Sequence, residues 1–336
     1  MKPRLVFFLI GALSAAQAPG YKPAGSIPIG GSGGWDYLTA DAANHRLYVS
    51  HATQVEVVDL DSGKPAGKIT GLMGVHGIAL ANDLGVGFIS DGRANQVVEF
   101  SLANLAVQKN IKAGTNPDGI VYDKISKRVF AFNGRSHDAT VINATDGAVA
   151  GTVKLDGKPE FPVSDGAGSV FANIEDKSEL VKINSKILAV EATWPLAPCE
   201  SPSGLAIDKA NRRLFSVCDN KVMAITDADS GKVVATPAIG EGPDAAAYDP
   251  ETHLVFSSNG ESGTLTVIRS TGKDRYSVAQ TVDTAKGART MTLDEKTHKL
   301  YLSTAHYGPA PAPSGTNQHP RAAILPGTFQ VLVFGQ

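Results

Sequence analysis

Short apolar runs separated by polar turns recur along the whole chain. One frame reads Trp35-Asp36-Tyr37-Leu38-Thr39-Ala40-Asp41, then a polar turn, then Arg46-Leu47-Tyr48-Val49-Ser50. It returns as Pro117-Asp118-Gly119-Ile120-Val121-Tyr122-Asp123 with Arg128-Val129-Phe130-Ala131-Phe132. It returns again as Pro202-Ser203-Gly204-Leu205-Ala206-Ile207-Asp208 with Arg213-Leu214-Phe215-Ser216-Val217. The residues closing each first run are Asp41, Ala81, Asp123, Asp165, Asp208, Asp249 and Asp294, spaced 40, 42, 42, 43, 41 and 45 apart. Seven repeats of this period are a fold signature in themselves.

Each repeat carries two further strand-length runs, such as Val55–Asp59 or Thr140–Asn143 and then Val149–Val153 or Val233–Thr236. The turn between them is built from Asp, Ser and Gly, as in Asp61-Ser62-Gly63-Lys64 and Asp229-Ser230-Gly231-Lys232. Asp and Ser accept local backbone hydrogen bonds there, and Gly takes a positive φ. No helical period competes, so the chain reads as all-β. Four strands per repeat of this length predict a seven-bladed β-propeller with four-stranded antiparallel blades.

The last repeat runs out of chain after its third strand, Phe329–Phe334. A fourth is available at the other end, Ala24–Ile29, where Pro28 suits only an outer edge because it has no N–H for a ladder. Closure of the last blade by the N-terminal strand follows, in place of an open solenoid.

The repeated Pro-x-Gly-Ile-x-x-Asp (Pro117, Gly119, Ile120, Asp123), then Arg128-Val129-Phe130 with Asn133-Gly134, and Ser230-Gly231-Lys232-Val233-Val234 at a last turn, resemble the YVTN-repeat β-propellers, the YncE-like proteins of bacteria. The resemblance covers residues 24 to 336 and implies an exported seven-bladed propeller more than any activity. Ala81 in repeat 2 and Phe161-Pro162 in repeat 4, where other repeats have Gly, depart from the frame, so local distortion is expected there.

Composition narrows the function classes. The 336 residues carry Lys+Arg 31 against Asp+Glu 33, a net charge of −2, which excludes a strongly basic nucleic-acid binder. No nucleic-acid partner is expected. Lys2 and Arg4 precede the apolar run Leu5–Leu13 and the small residues Ser14, Ala15, Ala16 and Ala18. That is the pattern of a signal peptide over residues 1–18, leaving residues 19–336 as one propeller domain with no membrane span and a periplasmic or secreted location. In such a compartment Cys199 and Cys218 are expected to form one disulfide, the alternative being two separately buried thiols.

The repeat alignment places two rings of residues on one face, around the mouth of the central channel. The first is Asp36, His76, Asp118, Glu160, Ser203, Asp244 and Arg289; the second is His51, Asp91, Asn133, Ile174, Cys218, Asn259 and Thr304. Twelve of these fourteen are polar, so the mouth reads as a polar funnel for a protein partner or small ligand. His51, His76, His137, His306 and His319 map to this face, while His45, His253 and His298 map to the far one. Imidazole with carboxylate suits zinc or copper, and carboxylates alone suit calcium or magnesium. Asp36, His51, His76, Glu160 and Asp244 are therefore the candidate ligands for one divalent metal ion, set against plain solvation and turn capping. Residues 305–328 form a long Pro-rich insertion in the last repeat, read either as a lid carrying His306, Tyr307, His319 and Arg321 or as a solvated loop.

No nucleophile elbow, P-loop or dinucleotide fingerprint is present, so no catalytic residue is assigned. The leading expectation is a binding scaffold acting through the funnel. The alternative is a metal-dependent hydrolase or lyase, similar to lactonase-type propellers, at the channel mouth. A redox-partner subunit is a third reading, although the chain has no C-x-x-C-H for haem attachment.

Overall fold

A computed structural model describes residues 20–312 and 322–336. The expected leader, residues 1–18, and the candidate lid residues His319 and Arg321 lie outside the described residues. The described chain forms seven four-stranded antiparallel sheets arranged as the blades of a propeller. In blade 1 the strands run Leu38–Asp41, Arg46–His51, Gln54–Asp59 and Pro65–Ile69, from the axis outward. Blade 7 comprises Met291–Asp294, Lys299–Thr304 and Gln330–Gly335, and its outer strand is Lys22–Pro28 from the other end of the chain. That outer strand pairs antiparallel from Lys22 against Gly335 to Pro28 against Gln330, with one register shift between Pro23 and Gly25. Pro28 thus ends an edge strand, where its missing donor costs no ladder bond.

The core is divided among the blade interfaces. Between blades 3 and 4, for example, Phe130, Phe132, Val141 and Val153 pack against Val170, Ala172 and Ile174. The seam between blades 7 and 1 is filled the same way, by Tyr301, Phe329 and Val331 against Trp35, Leu47 and Val49. Among the described residues there are seven such clusters, one for each neighbouring pair of blades, so each blade is packed on both faces while its outer strand stays largely exposed. Alternation along the second strands puts one set of side chains into each flanking seam, which is why these strands are buried on both sides.

The recurrent Asp at the end of the inner strand is a turn device. Asp123 is buried and accepts hydrogen bonds from Ser126 N at 3.0 Å, Ser126 Oγ at 2.6 Å and Ser164 Oγ of the next blade at 2.7 Å. Asp208 takes Asn211 in the same way, and Asp249 takes Thr252. Burial pushes the Asp123 carboxyl up, but these donors outweigh it and hold it below the usual carboxylate range. Each such residue ties a turn to its strand, and several also tie one blade to its neighbour. Cys199 and Cys218 form a disulfide joining the approach to blade 5 to the end of that blade's second strand. No described helix is long and apolar enough to cross a membrane.

Candidate functional site

The inner strands run from the mouth to the far face, so the residue that opens each strand stands at the mouth. Two features of the sequence bring these residues close. A Cβ on Gly77 would lie 2.8 Å from Ile120 Cγ2, and one on Gly119 would lie 2.8 Å from Glu160 O. Only glycine lets adjacent inner strands approach that closely. Small polar side chains on the second strands then fix the mouth backbone of the following blade. Ser90 Oγ donates to Asp118 O at 2.5 Å, Asn173 Nδ2 to Ser203 O at 2.9 Å, and Ser258 Oγ to Arg289 O. Thr290 Oγ1 completes the circle by donating to Asp36 O at 2.8 Å.

On that frame sits a cluster drawn from several blades. His76 Nδ1 is 2.6 Å from Asp36 Oδ2 and 3.6 Å from Asp118 Oδ1. Arg289 pairs with Asp244 and stands 3.9 Å from Asp36 Oδ1. Lys158 Nζ is 2.7 Å from Glu160 Oε1 and also pairs with Glu175. Ser203 Oγ donates to Pro243 O at 3.0 Å and does not join the charged group.

The electrostatics follow from five carboxylates sharing one half-buried mouth with three basic groups. Burial lifts the Asp118 carboxyl to about 6, aided by the Asp36 charge and opposed by His76. Burial likewise lifts Asp244 to about 6 against the pull of Arg289. Glu160 is pushed up by burial and by Asp118, which together outweigh Lys158. Burial pulls the His76 imidazole down, but its hydrogen bond to Asp36 and the charges of Asp118, Asp36 and Glu160 prevail and lift it to about 9. Lys158 is held above the ordinary lysine value, burial notwithstanding, by Glu160 and Glu175. Crowded negative charge of this kind favours whatever cation reaches it.

Beneath the cluster the channel is plugged. Tyr37 of blade 1 and Phe161 of blade 4 meet edge to face, ring centroids 4.6 Å apart, across the axis. Burial raises the Tyr37 hydroxyl well above its ordinary value, and the carboxylates around the mouth add to that. Below the plug the channel widens into a cavity of about 680 Å³ lined from all seven blades, among them Leu80, Tyr122, Ile207 and Leu293.

The second ring is placed differently from the first. His51 is buried, its ring 4.7 Å from that of Phe329, with Nδ1 3.6 Å from Glu56 Oε1; it does not reach Asp36 or His76. Asp91 is buried and accepts the backbone N–H groups of Met73 and Gly74 at 2.9 and 2.7 Å. Asn133 donates to Asp138 and Thr140, and Asn259 to Thr264 and Thr266, all within their own blades. These side chains bind the loops that shape the mouth. Of the candidate metal ligands, Asp36 and His76 come together, and Asp118 joins them with donor atoms within 4.8 Å of one another.

The ends of the Pro-rich insertion are held together. Tyr307 and Ile324 form an antiparallel bridge, with Gly308 N donating to Ala323 O at 2.8 Å and Leu325 N to His306 O at 2.9 Å. Tyr307 faces Trp35 at 6.3 Å between ring centroids, while Trp35 stacks on Phe329 at 5.2 Å. His306 is exposed.

No protein-family model matches the chain, and no curated protein matches it. Solved structures do. Kuenenia stuttgartiensis hydrazine synthase superposes with a TM-score of 0.70 at 15% identity, covering 81% of this chain and 92% of that one. The structure of U3-55K gives 0.76 at 9% identity, over 94% of this chain and 99% of that one. The WD40 repeats of RRP9 give 0.76 at 9%, over 94% and 97%. The shared feature is the propeller. At such identities the likeness carries the fold and no activity.

Proposed function

We propose that the chain is an exported, YVTN-type propeller that acts as a binding scaffold and takes a cationic group at its acidic mouth. The group is an amine or guanidinium, carried by a small ligand or by a Lys or Arg side chain of a protein partner. The observation that carries this reading is His76 seated between Asp36 and Asp118. The mouth already satisfies part of its negative charge with a cation of its own, and Asp118 and Glu160 keep raised affinities for a proton. A cation of the right shape replaces those protons. The Cys199–Cys218 bridge supports an oxidising, periplasmic or extracellular setting. The role needs no nucleophile or general base.

The test is calorimetric titration of the wild-type protein, Asp118→Asn and Glu160→Gln with agmatine. Saturable binding that releases protons and weakens at least tenfold in both variants is expected. Absence of binding, or binding indifferent to both substitutions, would overturn the reading.

One geometric fact favours a second reading. Asp36, His76 and Asp118 bring an imidazole nitrogen and two carboxylate oxygens close enough to hold one divalent ion. Such an ion would polarise a carbonyl in a hydrolase or lyase. Elemental analysis of protein purified without chelator, with His76→Ala and Asp118→Asn beside it, separates the two. Stoichiometric metal that both variants lose supports the enzyme, and a metal-free wild type removes it.

A further inference from the structure

Beside the mouth, between the loops of blades 1 and 2, lies a cavity of about 360 Å³. It shares Gly34, Trp35 and Arg289 with a second hollow of about 440 Å³ that reaches Ile324. Its charged lining is Arg93, Arg289 and His76 against the single carboxylate of Asp36. Arg93 is exposed, and no described carboxylate pairs with it, whereas Arg289 is already engaged by Asp244. The apolar lining is Trp35, Val75 and the thioether of Met73, whose side chain is more than half exposed. An exposed Met and an aromatic flank beside an unneutralised guanidinium form a small-ligand pocket with one polar end.

We propose that this pocket binds a small organic monoanion, a carboxylate on an apolar or aromatic body, with the carboxylate on Arg93 and the body against Trp35 and Met73. The guanidinium fork matches a carboxylate with two parallel hydrogen bonds. The volume takes a body the size of a single substituted ring. The pocket adjoins the acidic mouth and shares Asp36, His76 and Arg289 with it, but Arg93 and Met73 belong to the pocket alone and its ligand has the opposite charge.

Trp35 also supplies the reporter, because the chain has only two tryptophans and the other is Trp194. In a Trp194→Phe background, tryptophan emission is followed during titration with phenylacetate, its neutral amide phenylacetamide, phenethylamine and inorganic phosphate. Saturable quenching by phenylacetate alone is expected, weakened at least tenfold by Arg93→Gln. Calorimetry on the wild-type protein repeats the phenylacetate titration without the tryptophan substitution. Equal binding of the amide, preference for the amine or phosphate, no binding of phenylacetate, or indifference to Arg93→Gln would each overturn the assignment. Agmatine binding by Arg93→Gln reports separately on the mouth.

Discussion

Tyr37 and Phe161 sit three blades apart yet touch at 4.6 Å between ring centroids, closing the channel just below the charged mouth. The same position is glycine in blades 2, 3 and 5, at Gly77, Gly119 and Gly204. Two bulky rings are therefore accommodated on opposite sides of the axis, where each fills space the other repeats leave empty. The plug separates an acidic mouth from the wider cavity below, so the two ends of the channel are distinct environments.

Removing half of that plug is predicted to destabilise the ring and join the two spaces. Phe161 is half-buried, so Phe161→Ala is expected to cost about 2 kcal/mol, below the range for a fully buried ring. Urea unfolding measures it. A neutral result would mean that the pair contributes nothing to the fold.

The pH dependence of stability carries the sign of the crowded carboxylates. Glu160 has its folded value lifted to about 8 from an ordinary 4.5, so across that window the folded chain binds more protons than the unfolded one. Stability then falls as pH rises. Glu160→Gln lacks this contribution, so the wild type is expected to lose stability relative to the variant between about pH 5 and pH 8. Denaturant midpoints of the two proteins, measured at intervals of pH, give the comparison directly. A difference that stays constant or reverses would show that Glu160 is not proton-shifted.

The disulfide closes a loop of 19 residues in sequence separation. In the chain-entropy account, its loss is worth about 3 kcal/mol. A Cys199→Ala, Cys218→Ala double variant is expected to show that loss in denaturant titration. Reductant added to the wild type should reproduce it.

The turn aspartates are predicted to outweigh their exposed neighbours. Asp123→Ala leaves the hydroxyls of Ser126 and Ser164 without their acceptor inside the structure. A cost of about 2 kcal/mol follows, the range for a buried polar group losing its partner. Ser164→Ala removes one donor only and should cost less, which thermal unfolding of both variants tests.

Much of this arrangement is legible in the repeat frame. The spacing of Asp41, Asp123, Asp208 and Asp294 indexes the blades, and once they are indexed, Asp36, His76 and Asp118 fall at one height around one axis. Pro28 shows the edge strand that closes the ring. The frame does not show which mouth residues face inward. His51, Asp91 and Asn133 share the height of the ring but sit at the ends of second strands, one layer out, where unsatisfied loop N–H groups and blade seams capture them. Nor does a periodic reading show contacts between blades that are not sequence neighbours, so Tyr37 meeting Phe161 goes unseen. Lys158 is missed for a different reason: it lies two residues before the ring position, and only the fold of the approach loop turns it onto Glu160.

The central claim is that residues about forty positions apart form one electrostatic unit at the mouth, with His76 as its internal cation. Nitrogen-15 NMR of the imidazole, on chelator-treated protein, tests this most directly. His76 is expected to titrate near pH 9 in the wild type and to fall toward 6.5 in Asp36→Asn. An imidazole that titrates at 6.5 or below in the wild type, or that ignores Asp36→Asn, would contradict the claim.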